Sequence, residues 1–256
     1  MLFSANLGLL WTDRSLVEGI FAAKQAGFDA VECHWPYATT PSLVKQALDE
    51  TGLSMLSLNT QRGDVSAGEN GLCALPEKNQ QAKEAIVQAV AYAAEIGCAH
   101  IHVMAGNSAG QKAEEVFVEN LTFACELAAA SGIGVLIEPL NPYDAPGYFL
   151  NDLTQARRII EAVGKDQVRL MFDCYHIQIL HGDITRQLRA AYDLIGHIQF
   201  ASVPDRGAPD KGELNYQHIF ANINSLGYQG PLGAEYKPAG GDTNASLGWL
   251  ADAKLI

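Results

Sequence analysis

The sequence has no CxxC pair, and its five cysteines (Cys33, Cys73, Cys98, Cys125 and Cys174) are odd in number and scattered over 256 residues. That excludes a disulfide framework or a zinc ribbon, and reduced thiols in a cytosolic protein are the plain reading. Four of the five sit in apolar runs and are expected to pack as small hydrophobes. Basic residues are scarce: 17 Lys and Arg against 29 Asp and Glu leave a net charge of −12. A surface that acidic repels phosphate backbones, so no nucleic-acid partner is expected. No stretch reaches the roughly 20 uninterrupted apolar residues of a membrane span, so no membrane partner is expected either. The opening MLFSANLGLLW lacks a basic leader and a small-residue cleavage site, which with the cysteines makes a cytoplasmic location the expectation. No Pro/Ser-rich linker divides the chain, and one domain spanning residues 1–256 is expected.

What is present is enough apolar material for a full core. Hydrophobic residues make up 48% of the chain, and a domain of this size buries roughly three quarters of its extended-chain surface. Short apolar runs alternate with longer stretches of helical spacing. The candidate strands are Phe3–Leu7, Ala30–His34, Ser54–Asn59, His100–Ala105, Gly134–Pro139, Val168–Cys174, Gly196–Ala201 and Leu232–Tyr236. Their near-continuous apolar character suits strands buried on both faces, as in a parallel sheet. Between them, Ile86, Val90, Ala93 and Ala94, then Phe117, Leu121, Ala124 and Ala128, then Leu153, Ala156, Ile160 and Val163 repeat with helical period. Asn151 or Asp152 would cap the last of these. A glycine precedes nearly every strand (Gly27, Gly52, Gly97, Gly132, Gly164, Gly196 and Gly227), as a left-handed helix stop would. Eight βα units without a linker predict an α/β fold, a closed (β/α)₈ TIM barrel, over an open doubly wound sheet. The open sheet would favour a phosphate loop after the first strand, where SANLGLLWTDRS contains neither GxGxxG nor a P-loop.

Chemistry in such a barrel sits at the C-terminal ends of the strands. Four consecutive strands each deliver an oxygen-bearing side chain there: Glu138 in VLIEP, Asp173 in VRLMFDCYH, Gln199 in HIQFA and Glu235 in PLGAEYKP. A lone glutamate at a strand end is ordinarily salt-bridged or exposed. Three carboxylates and an amide converging on one mouth are different, because the carboxylates repel unless a cation joins them. The all-oxygen set favours a hard divalent ion, Mg²⁺ or Mn²⁺, over zinc.

Nearby residues complete a candidate site. His176 follows Asp173 by three positions, where it would donate to a substrate oxygen, orient a ligand or serve structure alone. Arg206, in the stiff loop PDRGAPDKGELNY, would clamp a substrate carboxylate through paired N–H···O bonds, with Glu213 behind it or in water. Lys237 would add positive charge. The third βα loop offers Asn59, Arg62 and Glu69 among glycines, and the second offers His34 and Trp35 as a pocket wall or core. His102 is read as structural. His197 is expected beside Gln199 with its side chain on the opposite strand face.

The segments FSANLGLLW, GFDAVECHWPY, NTQRGDVSAGENGLCALP, IEPLNPYDAPGYFL, DCYHIQILHGD, HIQFASVPDRGAPDKGELNY and GAEYKP together resemble the hydroxypyruvate isomerase family, from residue 2 to about 250. That family is one of the xylose isomerase-like TIM barrels, beside ketose 3-epimerases and endonuclease IV. The resemblance implies metal ligation by Glu138, Asp173, Gln199 and Glu235, an acid/base pair of Glu138 and Glu235, and substrate oxygens held by His176 and Arg206. It implies interconversion of hydroxypyruvate and 2-hydroxy-3-oxopropanoate, a small hydroxy-oxo acid as partner and a possible homo-oligomer. Related epimerases usually carry histidine where Gln199 stands, and endonuclease IV needs a histidine-rich trinuclear zinc site that seven scattered histidines do not suggest. A 2-oxotetronate isomerase, with the same ligands and a longer pocket, is the nearest alternative. A ketose 3-epimerase and a non-catalytic sugar-acid-binding barrel are the further ones.

Overall fold

The computed structural model describes residues 1–256. The apolar runs form nine strands: β1 (Phe3–Asn6), β2 (Ala30–Glu32), β3 (Ser54–Met55), β4 (Ser57–Asn59), β5 (His100–His102), β6 (Gly134–Ile137), β7 (Val168–Asp173), β8 (Ile195–Phe200) and β9 (Leu232–Ala234). All pairings are parallel, in the order β3-β2-β1-β9-β8-β7-β6-β5-β4. β3 and β4 are halves of the third expected strand, interrupted at Leu56. The Leu56 N–H donates to Val31 O at 2.8 Å, Cys33 N–H to Ser57 O at 3.1 Å, and Ala99 N–H to Met55 O at 3.0 Å. This broken strand therefore bonds to neighbours on both sides, and the sheet closes into a (β/α)₈ barrel.

Around it run α1 (Leu16–Ala26), α2 (Pro41–Thr51), α3 (Asn79–Ile96), α4 (Gln111–Ala129), α5 (Leu153–Val163), α6 (Cys174–Leu180), α7 (Ile184–Ala191), α8 (Tyr216–Ser225) and α9 (Gly248–Ala253). Local chemistry starts and stops them. Ser15 and Glu18 form a reciprocal capping box on α1, and Asp152 rather than Asn151 caps α5 by accepting from Gln155 N–H. Six of the seven expected stops have left-handed φ, whereas Gly196 lies inside β8, where a Cβ would meet the Arg169 side chain. The predicted helix faces are buried, except that Ala94 faces solvent and Leu153 is half-buried. All five cysteines are free and buried. No helix is long and apolar enough to cross a membrane.

Strand alternation sorts the interior into two regions. Outward-facing Phe3 packs edge-on against Phe200, Phe220 and Trp249, at ring separations of 6.0, 5.4 and 5.3 Å, between the sheet and helices α8 and α9. The barrel lumen instead holds buried Ser4, Asn6, Glu32, His102, His197 and Gln199. This corrects the expected placement of His197: residues two apart on a strand share a face, and both His197 and Gln199 reach Glu32.

The loop between β4 and α3 is pinned over the mouth where Gly71 bridges to Ala105. Gly71 has φ +119°, and a Cβ there would stand 2.6 Å from Gly106 N and 2.7 Å from Met104 O. Replacing Gly71 by Ala should cost about 3 kcal/mol through strain and backbone clash. Thermal unfolding should then show a midpoint lower by roughly 5–10 °C. An unchanged midpoint would mean the loop is not held there.

Candidate active site

Glu138 follows β6, Asp173 ends β7, Gln199 lies in β8 and Glu235 follows β9, and all four side chains are buried. Their surroundings differ sharply. Glu235 is fully engaged: Arg206 Nη2 donates to its Oε2 at 2.6 Å, Asn6 Nδ2 donates to Oε1 at 3.0 Å, and His34 Nε2 lies 2.8 Å from Oε1. Glu138 has no hydrogen bond to Oε1, which is 3.9 Å from His176 Nε2, and its Oε2 lies 3.8 Å from His102 Nδ1. Asp173 Oδ1 accepts from Tyr175 N–H at 2.8 Å and so caps α6, while Oδ2 has no hydrogen-bond partner. Gln199 Nε2 donates to Glu32 Oε2 at 2.7 Å and leaves Oε1 unpartnered.

Arg206 is held by backbone as well as charge. Its φ is +53°, a conformation that costs energy outside glycine, and its carbonyl accepts from Lys237 N–H at 2.7 Å. The guanidinium stacks 5.1 Å from the Tyr175 ring centroid and reaches Asp144 Oδ2 at 3.4 Å and Asp173 Oδ2 at 3.8 Å. Its Nε is buried without a partner. His176 Nδ1 accepts from Asn141 N–H at 3.0 Å and lies 2.8 Å from Asn141 Nδ2. A neutral ring that accepts at Nδ1 carries its proton on Nε2. His176 thus presents a donor to Glu138 and Asp173.

Burial, then the charges of Glu235 and Asp173, drives the Glu138 carboxyl well above its ordinary range. Burial, then Glu235, pushes Asp173 up to about 7. Burial works against the charge of Glu235 too, but Arg206 and then His34 outweigh it and hold this carboxyl well below the usual range. Burial, then Arg206, lowers His176 to about 3, and burial lowers His102 to about 4, so both rings are neutral near pH 7. Glu32 stays ionised despite complete burial, because His197, Ser4 and Gln199 together outweigh desolvation.

The donor set fits a divalent cation. Glu138, Asp173 and His176 offer ligand atoms within 4.8 Å of one another, but the proton on His176 Nε2 takes that atom out of a coordination set. Within the expected ligand set the unpartnered buried atoms are Glu138 Oε1, Asp173 Oδ2 and Gln199 Oε1, all oxygens. Unpaired buried oxygens are costly, and a hard cation satisfies them. Mn²⁺ binding should release protons, since raised carboxyl pKa values mean protons bound in the metal-free protein that a cation expels. Affinity should rise as pH increases through about 7, with release diminishing above it. Calorimetry in buffers of differing ionisation enthalpy checks the sign, and affinity independent of pH would contradict it.

Other candidates land apart from this cluster. Glu69 pairs with Lys78 and accepts from Asp64 N–H at 2.7 Å, stapling its own loop. Asn59 is half-buried, with its carbonyl accepting from Tyr37 OH. Arg62 stacks 3.9 Å over Trp35 and forms no ion pair. Lys237 is exposed beside Asp205 and Asp242, facing a cavity outside the carboxylate cluster, and Glu213 is exposed. Sequence reasoning passed over Asn6, Glu32, Asn141 and Asp144, took His102 as structural and left His34 as pocket wall or core. Asn6 and Glu32 end β1 and β2, where the strand-end rule that found Glu138 also points.

A family model described as xylose isomerase-like TIM barrel matches residues 20–253. A 2-oxo-tetronate isomerase of Cupriavidus necator is 42% identical over 252 residues, covering 97% of this chain and 96% of the relative. A hydroxypyruvate isomerase of Escherichia coli is 34% identical over 252 residues, covering 97% of each. A crystal structure from Brucella melitensis, described as AP endonuclease, family 2, matches with TM-score 0.94 at 36% identity, covering 98% of both chains. The carboxylate-ringed mouth and these relatives agree: the chain belongs to the xylose isomerase-like TIM barrel family and is a sugar-acid isomerase.

Proposed function

We propose that this isomerase moves a carbonyl between the second and third carbons of a short 2-oxo acid, interconverting hydroxypyruvate and 2-hydroxy-3-oxopropanoate (tartronate semialdehyde). The observation that carries the reading is the split between two buried glutamates. Glu138 holds a proton and Glu235 does not. Two carboxyls driven to opposite states by their surroundings suit an acid/base pair. A carboxylate takes the proton from the hydroxyl-bearing carbon, a carboxylic acid returns one to the neighbouring carbon, and the hydroxyl proton passes from the oxygen on the third carbon to the oxygen on the second, with the roles exchanged in the reverse direction.

The remaining donors suit a small oxygen-rich substrate. His176 Nε2–H points at the carboxylate cluster, and Arg206 Nε and His102 Nε2 are buried without partners. These groups would orient substrate oxygens, with Arg206 as the cation for the spectator carboxylate. Glu138, Asp173, Gln199 and Glu235 would hold the divalent cation, Mg²⁺ or Mn²⁺. When bound, it supplies Lewis-acid stabilisation of the negative charge that develops on substrate oxygens.

The four-carbon acid is the second reading, favoured by the name of the Cupriavidus necator relative at 42% identity. It would use the same residues. Chelator-treated protein assayed on hydroxypyruvate, 2-oxotetronate and fructose, with and without Mg²⁺ or Mn²⁺, separates the two. Fast turnover of hydroxypyruvate alone is expected. Preference for the four-carbon acid would keep the chemistry and change the substrate, and no turnover of any would remove the proposal.

Glu138→Gln and Glu235→Gln should each lower kcat by about 10²–10⁴-fold, with circular dichroism unchanged. Near-normal turnover in both variants would sink the mechanism.

A further inference from the structure

The lumen below the mouth contains a fully buried carboxylate that the proposed chemistry does not use. Glu32, on β2, accepts from Ser4 Oγ through Oε1 and from Gln199 Nε2 through Oε2 at 2.7 Å, with His197 Nε2 at 3.1 Å from the same Oε2. The opposite end of the Gln199 amide, Oε1, is buried and bonded to nothing. β9 gives way at this level: a Cβ on Gly233 would lie 2.7 Å from Gln199 Cγ and would strike Glu32 Oε1. The barrel wall is thinned so that these two side chains can meet.

An amide has a donor end and an acceptor end, and only the acceptor end has lone pairs for a cation. In isolation the two orientations of Gln199 fit the space about equally. Glu32 removes the choice, because its Oε2 accepts Nε2–H and offers nothing to the amide oxygen. We propose that Glu32 is a positioning residue: it fixes the direction of the Gln199 amide so that Oε1, not the NH₂ group, faces the carboxylate cluster and completes an all-oxygen cation site. This rests on the divalent-cation reading above. Outer hydrogen bonds of this kind typically change metal affinity by about 10–100-fold when removed.

The test is Mn²⁺ affinity of the full chain, read from the electron paramagnetic resonance signal of free Mn²⁺, independent of turnover. Glu32→Met removes the acceptor, frees the amide to turn over and should weaken Mn²⁺ binding by about 10–100-fold. Gln199→Glu alone sets two carboxylates against each other and should also bind weakly. Glu32→Gln combined with Gln199→Glu restores an amide–carboxylate pair in reverse and should bind to within about tenfold of the unmodified protein. A merely structural Glu32 would not produce this rescue. Affinity unchanged by Glu32→Met, or a swapped variant no better than Gln199→Glu, would overturn the proposal. If Glu32→Met does not fold, the swapped pair against Gln199→Glu decides alone. Absence of Mn²⁺ binding by the unmodified protein is a different result: it would refute the cation site itself.

Discussion

Four carboxylates are enclosed in one barrel, and most of the polar architecture answers to that constraint. Glu32, Glu138, Asp173 and Glu235 are all buried, and isolated buried charges of one sign are too costly to persist unpaired. Each is accommodated differently. Glu235 takes the only guanidinium in the cluster together with His34 and Asn6. Glu32 is compensated by His197 and Gln199 from β8 and Ser4 from β1. Glu138 and Asp173 are left without sufficient compensation, and burial with their neighbours' charges raises both carboxyls. The division leaves carboxyls of opposite protonation tendency side by side, whereas four uncompensated ones would not fold.

A lumen so polar contributes little hydrophobic stabilisation, in contrast to barrels whose interior is stacked with branched apolar side chains. The stabilising contact area lies on the other side of the sheet. Phe3, Phe200, Phe220 and Trp249 interlock edge to face, and Tyr216 closes the cluster while its OH donates to Ala201 O at 2.7 Å. Phe200 sits one residue from Gln199, so the same strand anchors the barrel outward and presents a functional amide inward. Alternation with period two makes both possible in one short segment.

The same alternation explains what was legible beforehand. Glu138, Asp173, Gln199 and Glu235 stood out because each interrupts an apolar run at the end where barrels do chemistry. Asn6 and Glu32 interrupt their runs equally, but a functional reading of them needs their partners, which lie 229 residues away for Asn6 with Glu235 and 167 for Glu32 with Gln199. No local pattern encodes such pairings. Loop residues were harder still. Lys237 lies two residues beyond Glu235 yet lines a different cavity, and the break at Leu56 leaves no mark in composition. Asn141 sets the His176 tautomer across 35 residues through a backbone N–H, a group every residue but proline possesses.

Chemistry and reach are therefore carried by different parts of the chain. The groups that would move protons and hold a cation come mainly from strand ends, whose positions the closed sheet fixes. The loops supply a different set of side chains: Arg62 stacked on Trp35, Tyr143 exposed on the turn that positions Asp144, and Arg206 in its left-handed bend. A three-carbon and a four-carbon acid differ by one hydroxylated carbon beyond the reacting pair, so strand-end residues have little leverage on the choice. With the proposed chemistry, discrimination between the two acids would fall to loop length and loop side chains.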